Sequence, residues 1–312
     1  MPASGSFEKL VLVTRKTRLE ELIERFNTFA QAKFYIEHSG GDFGDYVAEH
    51  DAYQRSLDIT RRSIEVGLKL QVLDRELVPT YLFTSQDVIV TLGQDGLVAN
   101  TAKYVAGQPI LAVNPDPQRF DGILLPYAVD AVKPALQHML AGNFRAAAIT
   151  LAEARLNDGQ RLLAFNDLFI GAKSHTSARY RLRFRDATES QSSSGIIVST
   201  GAGSTGWLSS VFNQTAGMLS LFGKGTLTPA PLSWGDENLI FVVREPFVSR
   251  HSTARTVAGT LAKQSPLTIE SQMPSAGVVF SDGVEADRLD FNSGAIATIG
   301  IAPEKANLVM PS

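Results

Sequence analysis

A short glycine-rich stretch has residue types suited to handling phosphate. Gly93-Gln94-Asp95-Gly96 follows an apolar run and precedes a segment that can form a helix. Backbone amides and the helix dipole at such a turn favour an anion, and glycine lets the backbone approach it closely. Asp95 would repel a phosphate unless it binds Mg²⁺ or a hydroxyl group, a combination suited to phosphoryl transfer. The alternative is an ordinary glycine turn in which Asp95 caps a helix.

Two later stretches have similar chemistry. Ser199-Thr200-Gly201-Ala202-Gly203-Ser204-Thr205-Gly206 follows an apolar run and precedes a helix candidate, so it can form a nest of amides and hydroxyls. Asn166-Asp167 places an amide beside a carboxylate inside an apolar run. Leaving such groups buried and unpaired costs about 1 to 3 kcal/mol each, so the pair either ends a strand or contacts a ligand. The Gly93–Gly96 stretch matches neither GxxxxGK[ST] nor GxGxxG, so it is not a standard P-loop or Rossmann fingerprint.

The elements that position these stretches change character along the chain. Up to Gly142, apolar runs alternate with helical periodicity, which predicts a parallel sheet covered by helices. The predicted strands are residues 7–14, 69–73, 87–92 and 109–113, and the predicted helices are 19–29, 47–66, 97–105 and 131–140.

After Gly142, short strand-like runs are separated by turn residues, and one helix candidate at 206–221 interrupts them. We therefore predict an α/β plus β protein. Residues 1–142 form a Rossmann-like α/β domain and residues 143–312 form a β-rich domain, a β-sandwich, whose last strand or tail returns to the first domain.

Composition excludes several functional classes. The chain has 312 residues, 44% of them hydrophobic, a formal net charge of −3 and a pI of about 6.0, so nothing in its overall charge favours nucleic acid or an anionic membrane. The absence of cysteine excludes disulfides, thiolate metal sites and cysteine nucleophiles. With no signal-like start and no long apolar run, we expect a cytoplasmic protein without membrane or nucleic-acid partners.

The order of the motifs resembles the NAD kinase family. In words, that family has a Gly-Gly-Asp-Gly loop, an Asn-Glu or Asn-Asp pair and a Thr-Pro-Thr-Gly-Ser-Thr-Ala-Tyr-like loop. Ser249-Arg250-His251-Ser252-Thr253-Ala254-Arg255 resembles its His-Ser/Thr-x-Ser/Thr-x-Arg segment, and Val113-Asn114-Pro115-Asp116 resembles its Asn-containing strand end. AVNPDPQRFDGILLP, FNDLFIGAKSHTSARY and DFNSGAIATIGI look most like the mitochondrial-type branch. The resemblance covers nearly the whole chain and is weakest over residues 28–85.

The resemblance implies an NAD kinase/diacylglycerol kinase-like fold and a transfer of phosphate from ATP to NAD, with Mg²⁺ and a homodimer. Asp95 would orient or deprotonate the adenosine-ribose 2′-hydroxyl of NAD. Asn166 and Asp167 would hold the ribose or adenine, and His251 and Asp282 are further candidate contacts. No residue is assigned as a metal ligand. The remaining binding candidates are Gly93, Gln94 and Gly96 for phosphate, and Gly201, Gly203, Ser204 and Thr205 for the pocket wall and its amide donors.

The sequence departs from the family pattern in the phosphate loop. Gln94 stands at the second glycine, and Leu97 stands where threonine is usual. A glutamine adds a side chain and a β-carbon restriction where phosphate approaches. Two alternatives to the kinase therefore stay open: an NAD(P)-binding regulatory protein that has lost phosphate handling, and a lipid kinase on the same scaffold.

Overall fold

The computed structural model describes residues 7–225, 227 and 232–311. The chain divides into two compact units, the first comprising Met1–Ala147 and Asn307–Ser312, and the second comprising Ala148–Ala306. The last strand belongs to both, because it runs from the second unit into the first. Among the described residues, no helix combines the length and apolar character needed to cross a membrane.

The first unit contains a parallel sheet of order β2-β1-β3-β4, with the short β5 and the end of the last strand both pairing with β4. β3 and β4 are buried along their whole length, as expected for strands of a parallel sheet covered on both faces. The strands are β1 (Lys9–Thr14), β2 (Lys69–Asp74), β3 (Asp87–Leu92), β4 (Pro109–Asn114) and β5 (Tyr127–Ala128).

Five α-helices of the first unit connect or cover these strands: α1 (Arg18–Phe26), α2 (Phe29–His38), α3 (Phe43–Ser63), α4 (Asp95–Ala102) and α5 (Val132–Leu140). Short 3-10 helices span Arg75–Thr80 and Val129–Ala131. One core cluster joins Leu12 and Val90 of the sheet to Tyr53 of α3 and Leu136 of α5. Apolar periodicity on α3 and α5 thus determines which helical faces cover the strands.

One predicted helix is two helices in the structure. The apolar spacing predicted a helix through Phe29, but α1 ends at Phe26 because Asn27 adopts a left-handed φ of 64°. Thr28 then caps α2 by accepting a hydrogen bond from the Gln31 N–H. Asparagine tolerates this conformation and threonine is a preferred N-cap, so the break has a local cause.

The second unit is a β-sandwich. One sheet is antiparallel with the order β13-β12-β11-β8-β15-β16, and the other contains β10-β9-β14-β17 together with β6 and β7. Its strands are β6 (Arg145–Leu156), β7 (Arg161–Ala164), β8 (Asp167–Ala172), β9 (Ala178–Phe184), β10 (Ala187–Ser193), β11 (Ile196–Ser199), β12 (Asn238–Val243), β13 (Ala258–Ala262), β14 (Leu267–Ser271), β15 (Gly277–Ser281), β16 (Val284–Asp290) and β17 (Ile296–Met310).

An apolar core lies between the two sheets. It contains Leu182 and Ile269 from one sheet, and Val198, Phe241 and Val279 from the other. Because side chains alternate along a strand, the residues between these point to the outer faces. Among the described residues of this unit there is one α-helix, α6 (Trp207–Leu221), which follows a 3-10 helix at Ala202–Thr205. The two-domain α/β plus β fold expected from the sequence is therefore confirmed.

Candidate functional site

The stretch 93–96 joins the end of β3 to α4 in the first unit. Gly93 donates its N–H to the Val113 carbonyl at 3.3 Å. A Cβ at Gly93 would lie 2.7 Å from Leu97 Cδ2, so any other residue there would force the Leu97 side chain to move. Nothing lies within 4 Å of where a Cβ of Gly96 would be. This open space lies beside the first turn of α4, where backbone amides favour an anion.

Gln94 fits the loop without strain. Its backbone is extended, with φ −89° and ψ 169°, and its side chain is exposed and makes no capping hydrogen bond. Any L-residue adopts this φ, so the β-carbon of Gln94 causes no backbone strain in the loop. Gln94 therefore adds an exposed side chain beside the loop without straining its backbone.

Asp95 is the first residue of α4 and is half-buried. Its Oδ1 accepts a hydrogen bond from the Leu124 N–H at 2.6 Å, which ties the loop after β4 to the glycine-rich stretch. Within the described chain this bond uses one carboxylate oxygen, so Oδ2 is left for a ligand. Asp95 is thus both an anchor for a neighbouring loop and a candidate contact for a hydroxyl group or a cation.

Asn114 organises the loop that reaches Asp95. Its Nδ2 donates to the Phe120 carbonyl at 3.0 Å, and its Oδ1 accepts from the Asp116 N–H at 3.0 Å. Gly122 has a φ of +63°, and a Cβ there would lie 2.6 Å from Asn114 Nδ2. Only glycine satisfies both conditions. Sequence reasoning did not identify Gly122 or Leu124, although the pattern Asn-Pro-Asp before a glycine was visible.

Asn166 and Asp167 lie where β7 leads into β8 in the second unit, and their backbone is held by Asp282. The Asp282 carboxylate accepts the N–H of Phe165 at 3.0 Å, of Asn166 at 2.6 Å and of Asp167 at 3.2 Å. In return, the Asp282 N–H donates to the Asp167 carbonyl at 2.9 Å. The structure thus brings together three of the predicted site residues, Asn166, Asp167 and Asp282, and the Asp282 carboxylate is hydrogen-bonded to the backbone of this segment.

The Asp167 carboxyl group lies in a poorly solvated position. Its pKa is raised to about 7, chiefly by burial and in smaller part by the negative charge of Asp282, while a hydrogen bond from the Ser199 side chain acts in the opposite direction. Its Oδ1 is buried and has no hydrogen-bond partner among the described residues. A buried acceptor without a partner costs free energy, so this atom is suited to a donor supplied by a ligand.

The loop after β11 packs directly against this segment. Thr200 donates its N–H to the Asn166 carbonyl at 2.9 Å and its Oγ1 to the Phe165 carbonyl at 2.6 Å. A Cβ at Gly203 would lie 2.3 Å from the Asn166 carbonyl oxygen, and one at Gly201 would lie 2.0 Å from that of Ser233. These glycines are therefore required by close backbone contacts.

The amides of this loop are used within it. Gly203 donates to Thr200 Oγ1 at 3.2 Å, Ser204 to the Gly201 carbonyl at 3.3 Å, and Gly206 to the Gly203 carbonyl at 2.9 Å. The Ser204 hydroxyl also donates to the Gly201 carbonyl at 2.7 Å. The expectation that Gly203 and Ser204 supply amide donors to a ligand is therefore wrong, because the 3-10 turn takes those donors. Thr205 is exposed at the end of the loop.

His251 lies in an exposed loop, and the structure does not join it to the other predicted residues. Its N–H donates to Ser249 Oγ at 3.1 Å. The loop is held instead by Glu189 of β10, which accepts from Thr253 Oγ1, the Arg255 N–H and Thr256 Oγ1. Sequence reasoning missed Glu189, because a carboxylate in a polar strand gave no signal of this role.

The ionisation of Glu189 reflects these bonds. Desolvation acts to raise its pKa, but hydrogen bonds from Thr256, Arg255, Thr253 and Gln191 outweigh it and lower the pKa to about 2. A carboxylate that accepts several hydrogen bonds is stabilised in its charged form. Glu189 therefore anchors the His251 loop as an anion.

A cavity of about 560 Å³ opens on the second unit, and three aromatic side chains form one of its walls. Phe169 stacks on Trp207 with ring centroids 5.7 Å apart, and on Phe280 at 4.9 Å. The Arg244 guanidinium lies over the Trp207 ring, 5.3 Å from its centroid. Because side chains alternate along β8, Asp167 and Phe169 share one face of the sheet. An aromatic wall with a nearby guanidinium suits a planar, anionic ligand.

Among the described residues, no three His, Asp or Glu side chains gather into a group that could hold a metal ion. Mg²⁺ needs no such group, because it is usually held by one or two carboxylates together with substrate phosphates. Asp95, with one oxygen committed to Leu124, fits that pattern.

The known proteins that are similar to this chain in sequence and in fold are NAD or NADH kinases. No protein-family model matches the chain. It is 24% identical over 375 residues to mitochondrial NAD kinase 2 of Rattus norvegicus, covering 97% of this chain and 88% of that protein.

Two solved structures are similar in fold. Yeast NADH kinase complexed with NADH has a TM-score of 0.58 and 16% identity, covering 98% of this chain and 84% of that one. An NAD kinase from Archaeoglobus fulgidus in complex with ATP has a TM-score of 0.53 and 16% identity, covering 96% and 92%. The chain is therefore similar in sequence to a mitochondrial NAD kinase over nearly its whole length, and similar in fold to these two solved kinases.

Proposed function

We propose that the chain is an NAD kinase, which transfers a phosphoryl group from ATP to the adenosine-ribose 2′-hydroxyl of NAD to give ADP and NADP. The observation that carries the proposal is the 24% identity to mitochondrial NAD kinase 2 across 97% of the chain. The complexes of the two structural neighbours, one with NADH and one with ATP, support both substrates.

In the proposal, the glycine-rich stretch of the first unit binds the ATP phosphates. The amides at the start of α4 and the open space beside Gly96 favour an anion there, with Gly93 and Gln94 forming the turn. Asp95 aligns the 2′-hydroxyl through Oδ2. The hydroxyl oxygen bonds to the γ-phosphorus, the bond to the bridging oxygen of ADP breaks, and the hydroxyl proton is released. Because such transition states are loose, alignment contributes more than proton removal.

The second unit binds the dinucleotide in this proposal. Asn166 offers both a donor and acceptors to adenine or ribose, and Asp167 offers its unpartnered buried Oδ1 to a ribose hydroxyl. Gly201, Gly203, Ser204 and Thr205 shape the wall of the pocket. His251 remains a candidate contact, and Asp282 acts on the segment through the backbone.

Mg²⁺ is proposed as the cofactor, with Asp95 as the side chain able to contact it. When bound, Mg²⁺ neutralises charge on the transferred phosphate. The half-buried position of Asp95 and its single committed oxygen support this assignment.

The test is a donor-by-acceptor matrix. Purified protein is incubated with Mg²⁺, with ATP or inorganic polyphosphate as donor and NAD or NADH as acceptor, and NADP(H) is measured by an assay specific for the 2′-phosphorylated dinucleotide. We expect NADP with ATP and NAD, and a loss of at least about a hundredfold in Asp95→Asn, because alignment terms of several kcal/mol are lost. Absence of product in every combination, beside an active NAD kinase control, would contradict the proposal.

The two alternatives lack support from the comparisons. A lipid kinase does not account for a match to NAD kinases along nearly the whole chain. A pseudoenzyme was suggested by Gln94, but this residue leaves the loop backbone unstrained. A lipid phosphorylation arm in the same assay, with diacylglycerol vesicles as acceptor, separates the first alternative directly.

A homodimer is part of the proposal. Helix α6 carries no charged residue, and Leu208 is its one buried side chain. Met218 is 57% exposed, Leu221 78% and Phe222, directly after the helix, 68%. Apolar side chains in such numbers support a second copy covering this helix. Mass photometry should give twice the chain mass, and Leu221→Glu should shift the protein towards the monomer.

A cytoplasmic location is also a proposal, supported by the absence of cysteine from the chain. The similarity to a mitochondrial protein makes the mitochondrion the competing location. Fractionation of the source cells with an antibody to the chain decides between them.

A further inference from the structure

We propose that Asp282 is a positioning residue, which fixes the Asn166–Asp167 segment for the dinucleotide and does not itself contact the ligand. The inference rests on the proposed function and goes beyond it, because it assigns the residue that holds the binding side chains in place. Three steps support it: the use of the carboxylate, the closure of the segment from its other side, and the conformation of Asp282 itself.

The Asp282 carboxylate is occupied by the segment it would position. Both oxygens accept backbone N–H groups, Oδ2 from Phe165 and Oδ1 from Asn166 and Asp167. Hydrogen bonds to a charged acceptor are about twice as strong as neutral ones. Three consecutive amides aimed at one side chain fix the orientation of three successive peptide planes, and so the directions of the Asn166 and Asp167 side chains.

Thr200 closes the segment from the opposite side. The Asn166 carbonyl accepts the Thr200 N–H, and the Phe165 carbonyl accepts Thr200 Oγ1. Asn166 thus donates its backbone N–H to Asp282 and accepts at its carbonyl from Thr200. With both backbone groups used by the protein, the side chains remain to bind a ligand, which is the arrangement a rigid recognition element requires.

Asp282 holds a conformation that costs free energy. Its φ is +53°, in the left-handed region, at the turn between β15 and β16, where glycine would be favoured. A residue kept in such a conformation needs a compensating interaction. The three accepted hydrogen bonds supply it, which separates Asp282 from an ordinary turn residue.

The test compares Asp282→Gly, Asp282→Asn and a control, Arg185→Gly. Glycine at 282 relieves the φ strain but removes every acceptor, and asparagine keeps one carbonyl oxygen in place of Oδ1. Arg185 has the same kind of position, an exposed turn residue with φ +52° between β9 and β10 of the same unit. All variants are measured for KM of NAD, KM of ATP, kcat, and hydrogen exchange of the amides of residues 165–167.

Asp282→Gly should raise the KM for NAD about tenfold or more and leave the KM for ATP within about twofold of the wild type. Hydrogen exchange of the amides of residues 165–167 should become about tenfold faster or more, because their hydrogen bonds to a charged acceptor are lost. Asp282→Asn keeps the acceptor for Asn166 and Asp167 but loses the charge and the acceptor for Phe165, so it should give clearly smaller effects than Asp282→Gly, and Arg185→Gly should change neither quantity. A role in ligand contact would instead make Asp282→Asn as damaging as Asp282→Gly, which overturns the proposal.

Two further outcomes are decisive. Faster exchange in Asp282→Gly with an unchanged KM for NAD would leave Asp282 a purely structural residue and overturn the inference. If the wild type forms no NADP, the proposed function fails, whereas the anchoring by Asp282 fails only if exchange at 165–167 is unchanged in Asp282→Gly.

Discussion

Replacing Asp167 by asparagine should make the protein more stable at alkaline pH while weakening dinucleotide binding. The folded protein raises the pKa of this carboxyl from 3.8 to about 7, chiefly through burial, and leaves its Oδ1 without a partner among the described residues. The folded state therefore binds a proton more tightly than the unfolded state. Linkage then requires stability to fall as the pH rises from about 4 to 7 and to stay lower above that range.

The magnitude follows from the size of the shift. A difference of about 3 pH units at about 1.4 kcal/mol per unit gives about 4 kcal/mol as the upper limit of what the ionised carboxylate costs above pH 7. Asparagine carries no charge, but its buried amide leaves part of its hydrogen bonding unmet, at about 1 to 3 kcal/mol. The expected net gain at pH 8 is about 1 to 3 kcal/mol.

The assay is urea unfolding of the wild type and Asp167→Asn between pH 4 and 9, followed by circular dichroism. The difference in unfolding free energy between the two proteins should grow from pH 4 to 7 and then stay constant, because groups common to both cancel. A pH-independent difference, or a variant that is less stable than the wild type at pH 8, would refute the account of the buried carboxylate. The same variant should bind NAD at least about tenfold more weakly, since the charged acceptor is lost.

Three further predictions concern other residues of the two units. Gln94→Gly should change the rate of NADP formation less than about threefold, because the native φ is ordinary. It should lower the free energy of unfolding by up to about 1 kcal/mol, because glycine gives the unfolded chain more conformational freedom. A large gain in turnover would show that the glutamine obstructs the loop. Gly203→Ala should lower the free energy of unfolding, measured by thermal unfolding, by about 2 kcal/mol or more, because the new Cβ would clash with the Asn166 carbonyl. The control Gly217→Ala on α6 has open space around the new Cβ, so it should leave the stability unchanged or raise it slightly. Glu189→Gln should remove stability that is present above about pH 4.5 and is lost as the pH falls towards 2, so its unfolding curve should depend less on acid than that of the wild type.

Much of the first unit could be predicted from periodicity alone. β3 begins and ends where the apolar run does, at Asp87 and Leu92, because a central strand of a parallel sheet is apolar on both faces. The break after Phe26 could not be predicted in this way, because Leu22, Phe26 and Phe29 keep helical spacing across it. Conformation at one asparagine, rather than periodicity, decides where that helix ends.

In the candidate site, too, only some of the residues could be predicted from the sequence. Residues with distinctive chemistry, such as Asp95 and Asn166, could be identified from the sequence and a family resemblance. Their supports could not, because a Leu124 N–H or the carboxylate of Glu189 becomes relevant only once distant strands are brought together. The backbone conformation of Gln94 likewise could not be predicted from the motif, because its ordinary φ is known only from the folded loop.

The course of the last strand has a consequence for how the chain is made. β17 ends in the first unit, where Asn307 and Leu308 pair with Pro109 and Ile110 of β4. During synthesis the residues of the first unit leave the ribosome long before residue 307, so β4 waits with that part of its edge unpaired. The sheet of the amino-terminal unit is therefore completed only after the residues of β17 have been synthesised.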